Sequence, residues 1–342
     1  MPTGYVYDPL YLEHDSATHP ENKRRLQQTL SHLQAAGLLD RMQSISARDA
    51  SLHELSAVHD RGYIQRLQQV AEEGGGWLDP DTYVGNRSYD AAVRAAGGLL
   101  AAVEGVLDGD VDNAFALVRP PGHHALANRG MGFCLFNNIA VAARYALQQR
   151  RLQRVLIVDY DLHHGNGTQD AFYQEAEVLY FSTHQFPYYP GTGHWKETGR
   201  GAGEGYTVNV PLPAGVGDEG YRRVFEQVLV PVAARYKPEL ILASAGYDAH
   251  WKDPLGMMRL SVSGYAELAR RLVELAAQWC GGHIVLTLEG GYNLEALALC
   301  IAATFSTLLG DRDVDDPLGP AMGGEEPVEA VIQTVRQLHG LA

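Results

Sequence analysis

The chain has 342 residues, 46% of them hydrophobic, and a formal net charge of −14. This length buries a sizeable core inside one large α/β unit, so we expect a single domain over residues 1–342. The acidic balance disfavours direct nucleic-acid binding, because neutralising phosphates requires clustered Lys and Arg. No apolar run approaches the ~20 residues of a membrane span. The start, Met1-Pro2-Thr3-Gly4-Tyr5, has no secretory pattern, so a cytoplasmic location and no membrane partner are the default. Cys134, Cys280 and Cys300 are scattered and odd in number. They read as reduced, buried thiols rather than as a disulfide framework or a thiolate zinc site.

Taken in chain order, residues up to about Tyr89 read as mostly polar helix and loop, punctuated by Gly74-Gly75-Gly76, with no second core. From there apolar runs of strand length alternate with helical patterns. Strands are predicted at Ala114–Val118, Val155–Asp159, Val178–Ser182, Tyr206–Val210, Leu240–Ala245 and Ile284–Leu288. Helices are predicted at Ala91–Leu107, Ile139–Gln149, Asp218–Tyr236 and Ser263–Trp279. Most strands are unbroken apolar runs, which implies burial on both faces and therefore a mostly parallel sheet covered by helices. The fold class that follows is a three-layer α/β/α architecture. Gly310–Glu326 is dense in Asp, Pro and Gly and reads as a surface loop, and Val328–Leu341 as a closing helix.

The chemistry-bearing residues fall where an apolar strand gives way to a Gly-containing turn. In open α/β sheets the ligand crevice lies beyond the carboxyl ends of the strands. In Val155-Leu-Ile-Val-Asp-Tyr-Asp-Leu-His, extended periodicity sends Asp159, Asp161 and His163 to one side. Asp161 and His163, with Asp248 from Ser244-Ala-Gly-Tyr-Asp, make a nitrogen and oxygen donor set suited to Zn²⁺ or Fe²⁺. Taken singly, each such Asp would more often be a helix cap, and it is their joint occurrence that points to a metal. Arg119-Pro-Pro-Gly-His-His supplies His123 and His124, imidazoles that titrate near neutrality and suit proton transfer. Leu288-Glu-Gly-Gly-Tyr presents the Tyr292 hydroxyl, a donor of the kind that stabilises an oxyanion.

Arg119-Pro-Pro-Gly-His-His-Ala, Gly132-Phe-Cys, Asp159-Tyr-Asp-Leu-His-His-Gly-Asn-Gly-Thr-Gln, Ser244-Ala-Gly-Tyr-Asp-Ala and Glu289-Gly-Gly-Tyr-Asn stand in the order and spacing of one family. The chain resembles the histone deacetylase and acetylpolyamine amidohydrolase family, in wording closest to the class II members and their bacterial relatives. The resemblance runs from Thr3-Gly-Tyr-Val-Tyr and His19-Pro-Glu-Asn to the Glu289 loop; the last ~50 residues carry no matching signature. It implies an arginase-like fold with Zn²⁺, or Fe²⁺, on Asp161, His163 and Asp248. His124 would be the general base and then the acid, with His123, held by Asp159, stabilising charge beside it. Asn166 stands where many relatives place an aspartate behind the second histidine. An amide does not raise basicity, so His124 is expected to carry the less perturbed pKa of the pair. The resemblance further implies a structural potassium ion near Asp159, Asp161, His163, Ser182 and Thr183. Phe133 and Tyr189 would line an acyl-lysine tunnel; without the resemblance, ordinary packing would be the reading for both.

The implied reaction is hydrolysis of the acetyl amide of an acetylated amine, acetyl-lysine in peptides or proteins first, acetylated polyamines or other small acyl amines second. Polyamine-selective relatives carry an acidic gatekeeper where this chain has Leu255, in Asp253-Pro-Leu-Gly, which weighs against polyamines. His250 and Trp251, beside the Asp248 loop, are candidates to shape the tunnel mouth, although an exposed loop His and Trp more often have no such role. Two other readings are an inactive acyl-binding module, against which both histidines and Tyr292 speak, and a two-metal hydrolase of the arginase type, for which further acidic ligands are lacking. Oligomeric state is not written in the sequence.

Overall fold

The computed structural model describes residues 2–341. Ten strands form: β1 (Thr3–Val6), β2 (Gln43–Ile45), β3 (Gly76–Trp77), β4 (Tyr83–Val84), β5 (Asn113–Ala116), β6 (Val155–Asp159), β7 (Val178–Gln185), β8 (Thr207–Leu212), β9 (Leu240–Ala245) and β10 (Ile284–Leu288). Eight of them make one sheet in the order β2-β1-β5-β10-β9-β6-β7-β8, and every ladder in it is parallel. β3 and β4 pair separately as a small antiparallel hairpin. Helices Arg24–Ala35, Val262–Trp279 and Leu294–Leu308 pack together as one layer, and Ser88–Leu107 with Asn138–Gln148 as the other. The three-layer α/β/α architecture is therefore present. Among the described residues no helix is long and apolar enough to cross a membrane.

β6, β9 and β10 match the predicted runs residue for residue. β5 stops at Ala116, two residues early, because the chain turns out of the ladder toward Pro120 and Pro121, which have no N–H to offer it. β7 runs on to Gln185, beyond the expected Ser182, since the polar Thr183, His184 and Gln185 stay buried and pair with Val210–Leu212 of β8. The predicted helix Asp218–Tyr236 is helical throughout but contains a π turn at Phe225–Leu229. Pro231 follows two residues after it, and the wider turn sits where a proline cannot continue regular i→i−4 bonding.

The N-terminal stretch is mostly helix and loop, as expected, but it also supplies the short strands β1 and β2 to the sheet. β1 lies inside the sheet, between β2 and β5, and buried residues from Val6 to Val335 form one continuous hydrophobic cluster. Each fully buried Phe, Leu or Ile in it contributes about 1.5–3 kcal/mol relative to exposure. The closing helix, Glu329–Leu338, packs on β8 at the edge of the sheet.

Candidate active site

Four turns at the carboxyl ends of β5, β6, β9 and β10 meet beyond the centre of the sheet. β6 ends at Asp159 and β9 at Ala245, two neighbouring strands in which Asp159 pairs with Ser244. The turns after them bring ligand atoms of Asp161, His163 and Asp248 within 4.8 Å of one another. His163 Nδ1 lies 3.3 Å from Asp161 Oδ1 and 3.1 Å from Asp248 Oδ2. The outer carboxylate oxygens are held by backbone: Gly290 N donates to Asp161 Oδ2 (2.8 Å) and Leu162 N to Asp248 Oδ1 (2.9 Å). Two glycines make this approach possible. A β-carbon at Gly246 or Gly290 would overlap the Asp161 carboxylate, and at Gly290 the Asp248 carboxylate also.

The donors are one imidazole and two carboxylates, a hard nitrogen and oxygen set of the kind that holds Zn²⁺ or Fe²⁺. The local field fits a cation. Burial opposes a charge on His163, yet hydrogen bonds to Asp161 and Asp248 outweigh it and push the imidazole up to about 9. Burial and the Asp161 charge raise Asp248, while Asp161 is drawn down by His123 and His163 against its own burial.

Asp159 does not join this cluster. The chain leaves the extended conformation after it, and its carboxylate turns to His123 Nδ1 (3.0 Å) and accepts from the Tyr180 hydroxyl (3.1 Å). His124 Nδ1 faces Asn166 Oδ1 at 2.8 Å, and the two imidazole rings lie 4.0 Å apart. Burial opposes the His123 charge, but Asp159 and Asp161 carry it up to about 10. His124 departs from expectation. Burial first, then the charges of His123 and His163, drive it well below the ordinary imidazole value, so an amide rather than a carboxylate behind it does not by itself make it the less perturbed of the pair.

A cavity of about 260 Å³ opens onto this constellation, with His123, His124, His163 and Tyr292 among its lining residues. Phe133, Tyr189 and Leu255 all line it. The Phe133 ring meets that of Tyr292 edge-on at 5.7 Å, and Tyr189 meets His124 at 5.2 Å. Phe133 sits at φ 70°, a left-handed conformation costly for an aromatic residue, with its N–H donating to Thr82 Oγ1. Ser182 and Thr183 are fully buried neighbours on β7. Strand alternation sends their side chains to opposite faces, so both hydroxyls do not reach one ion; Ser182 pairs with Asp159 in the ladder, and Thr183 Oγ1 has no hydrogen-bond partner among the described residues. His250 and Trp251 do not line the cavity. They stack on each other, and Trp251 Nε1 donates to Gly319 O of the 310–326 loop.

Several site residues were invisible in the sequence. Asp81, in the β3–β4 loop, lines the cavity, and so does Tyr188, whose ring stacks 5.7 Å from His163 and whose hydroxyl donates to Leu255 O. Glu21, fully buried, joins Arg119 and Arg25: Arg119 Nη2 donates to its Oε2 (2.7 Å) and Arg25 Nη1 to its Oε1 (3.1 Å). Arg25 also donates through Nε to Gly291 O (2.7 Å), with its guanidinium 5.0 Å from the Tyr292 ring centre. His123, Cys134 and Glu289 form a second close group. Its thiol is pushed well above the ordinary value by burial, and the Glu289 carboxylate is occupied by Gly122 N, His123 N and Ser244 Oγ, which makes it a brace between loops.

An all-parallel α/β sheet that gathers paired histidines, a tyrosine and a carboxylate–imidazole cluster at an aromatic-walled cavity defines an enzyme of the amide-hydrolysing class. The histone deacetylase domain model matches residues 19–308, and the chain belongs to the histone deacetylase family. A probable deacetylase of Archaeoglobus fulgidus is 45% identical over 86% of this chain and 82% of its own. A histone deacetylase-like amidohydrolase of Pseudomonas aeruginosa is 38% identical over 98% and 87%. The solved HD domain of HDA15 superposes with a TM-score of 0.90 at 38% identity, covering 99% of this chain and 95% of that one.

Proposed function

We propose that this deacetylase uses Zn²⁺, with Fe²⁺ as the other candidate, to hydrolyse the acetyl amide of acetyl-lysine in peptides or proteins, the described residues working as one domain. The observation that carries the reading is that His123, His124 and Tyr292 line one cavity together with His163, the member of the Asp161, His163 and Asp248 donor set that reaches it. Asp161, His163 and Asp248 would hold the divalent ion, which would supply Lewis acidity toward the acetyl carbonyl and an attacking water. His124, backed by the amide of Asn166, takes the proton from that water as its oxygen bonds to the carbonyl carbon, and delivers it to the amine nitrogen as the C–N bond breaks. His123, backed by the Asp159 carboxylate, holds positive charge beside the reacting centre. The Tyr292 hydroxyl donates to the developing oxyanion. Acetate and free amine leave.

Phe133 and Tyr189 flank the extended alkyl chain of the substrate and keep bulk water from it. Leu255 leaves the mouth without a charge at that point, which favours a peptide over a polyamine. Asp81 supplies a carboxylate on another part of the wall, and this favours acetylated polyamine as the second reading. A potassium ion near Asp159, Asp161, His163, Ser182 and Thr183 belongs to the same proposal, with the fully buried Ser182 beside Asp159 in the β6–β7 ladder as its support in this chain. Three free, buried cysteines suit a reducing compartment and support the cytoplasm.

The test compares kcat/KM for an acetyl-lysine peptide and an acetylated polyamine on one zinc-loaded preparation, with Asp161→Asn as the blank. A large preference for the peptide, with metal and turnover lost together in the blank, is expected. Preference for the polyamine overturns the substrate assignment, and an active Asp161→Asn overturns the metal assignment.

A further inference from the structure

The backbone that carries Tyr292 is gripped from outside its own strand. Asp253 belongs to the loop after β9, five residues beyond the proposed ligand Asp248, and is 6% exposed. Its Oδ2 accepts from Tyr292 N at 2.6 Å and from Asn293 N at 3.0 Å, and its Oδ1 accepts from Leu255 N at 3.0 Å. A further bond closes the clamp, with Asn293 Nδ2 donating to Lys252 O at 3.1 Å. One buried carboxylate thus binds three amides from two loops. One loop runs from Asp248 to the cavity wall at Leu255; the other bears the tyrosine that lines the same cavity.

We infer that Asp253 is a positioning residue for the reaction, setting the Tyr292 hydroxyl against the Asp248 side of the site through the Tyr292 and Asn293 amides. The inference rests on the oxyanion role proposed above for Tyr292. Arg25 secures the same turn from the opposite side through the Gly291 carbonyl, so the turn is pinned by its carbonyls on one side and its N–H groups on the other. The side chain has no such anchor: among the described residues the Tyr292 hydroxyl makes no hydrogen bond, while the ring meets Phe133 edge-on and lies under the Arg25 guanidinium. The hydroxyl position is therefore inherited from the backbone that Asp253 holds. An asparagine there keeps the volume but has one acceptor: with its NH₂ toward Leu255 N it repels the loop that holds it in place, and with its NH₂ toward the Tyr292 and Asn293 amides it repels the turn directly. Misplacement of a catalytic donor by about 1 Å lowers turnover by roughly 100-fold.

The experiment is a double-mutant cycle on the full chain, measuring kcat, KM and bound zinc for wild type, Asp253→Asn, Tyr292→Phe and the double variant. Asp253→Asn is expected to lower kcat about 10- to 100-fold with KM and zinc content near wild type. In the Tyr292→Phe background the same change should cost less than about threefold, because the hydroxyl it positions is already gone. A double variant whose losses multiply overturns the inference, since a merely structural role would damage both backgrounds alike. If Asp253→Asn does not yield folded protein, the cycle is run with Asp253→Ser, which leaves room for water on the three amides, and is judged by the same criterion. A fully active Tyr292→Phe overturns the oxyanion reading and this inference with it; an impaired Tyr292→Phe with a multiplicative cycle overturns this inference alone.

Discussion

Replacing Glu21 by Gln tests whether a buried charge network supports the catalytic turns. Glu21, Arg25 and Arg119 are each fully buried, and among the described residues Glu21 is the only carboxylate within ion-pair reach of either arginine. Gln preserves the volume and one acceptor but leaves two buried guanidinium groups without a counter-charge. Breaking a buried pair from one side costs about 3–5 kcal/mol. With ~2.1 cal/mol/K of unfolding entropy per residue, 342 residues give about 0.7 kcal/mol/K, so the melting temperature should fall by roughly 4–7 °C. The pH dependence follows from the Glu21 environment. Burial works against its charge, but Arg119 and His14 outweigh it and hold the carboxyl well below its usual 4.5. A depressed acid contributes stability that is complete above the unfolded value and is lost as pH falls through the folded one. The gap between wild type and Glu21→Gln should therefore be constant from neutral pH down to about 4.5 and narrow only below it. Thermal unfolding followed by circular dichroism across that range measures both. A gap under 2 °C at neutral pH, or one that closes above pH 5, refutes the reasoning.

Two further outcomes follow from the cavity and its surroundings. Leu255→Glu should raise kcat/KM for an acetylated polyamine over an acetyl-lysine peptide by about fivefold, the worth of ~1 kcal/mol for a half-exposed charge facing an ammonium; an unchanged ratio would remove Leu255 from the substrate path. Gly193→Ala should destabilise by about 1–3 kcal/mol, read by chemical denaturation, because Gly193 has φ +88° and its β-carbon would press into the buried rings of His164 and His184. A neutral effect would mean that those histidines shift freely.

The site was legible where one short motif carries its own turn. Asp161 and His163 follow a strand whose every residue is apolar up to Asp159, so the change of composition marks the crevice. Glu21 and Arg119 stand 98 residues apart, and Asp253 reaches Tyr292 across 39; no local pattern announces such pairs. In the fold, β1 and β2 escaped notice because strands of four and three residues offer no periodicity. The helix Leu294–Leu308 escaped for the opposite reason. It is buried on nearly all sides, so the polar stripe that identifies a surface helix is missing. Asp81 lies in a turn whose run of Asp and Pro reads as any exposed loop does.

The two ends of the sheet are unlike, and the difference bears on how the molecule behaves in concentrated solution. A sheet edge is a row of unpaired backbone groups able to recruit a strand from another molecule and start aggregation. β2 limits this by brevity, three residues of which two are exposed and polar. β8 is six residues long, all buried, and relies on the helix Glu329–Leu338 lying against it. That helix supplies no lining residue to the catalytic cavity, so its contribution lies in colloidal stability: shortening the chain before Glu329 would leave the chemistry in place and uncover a buried six-residue edge strand.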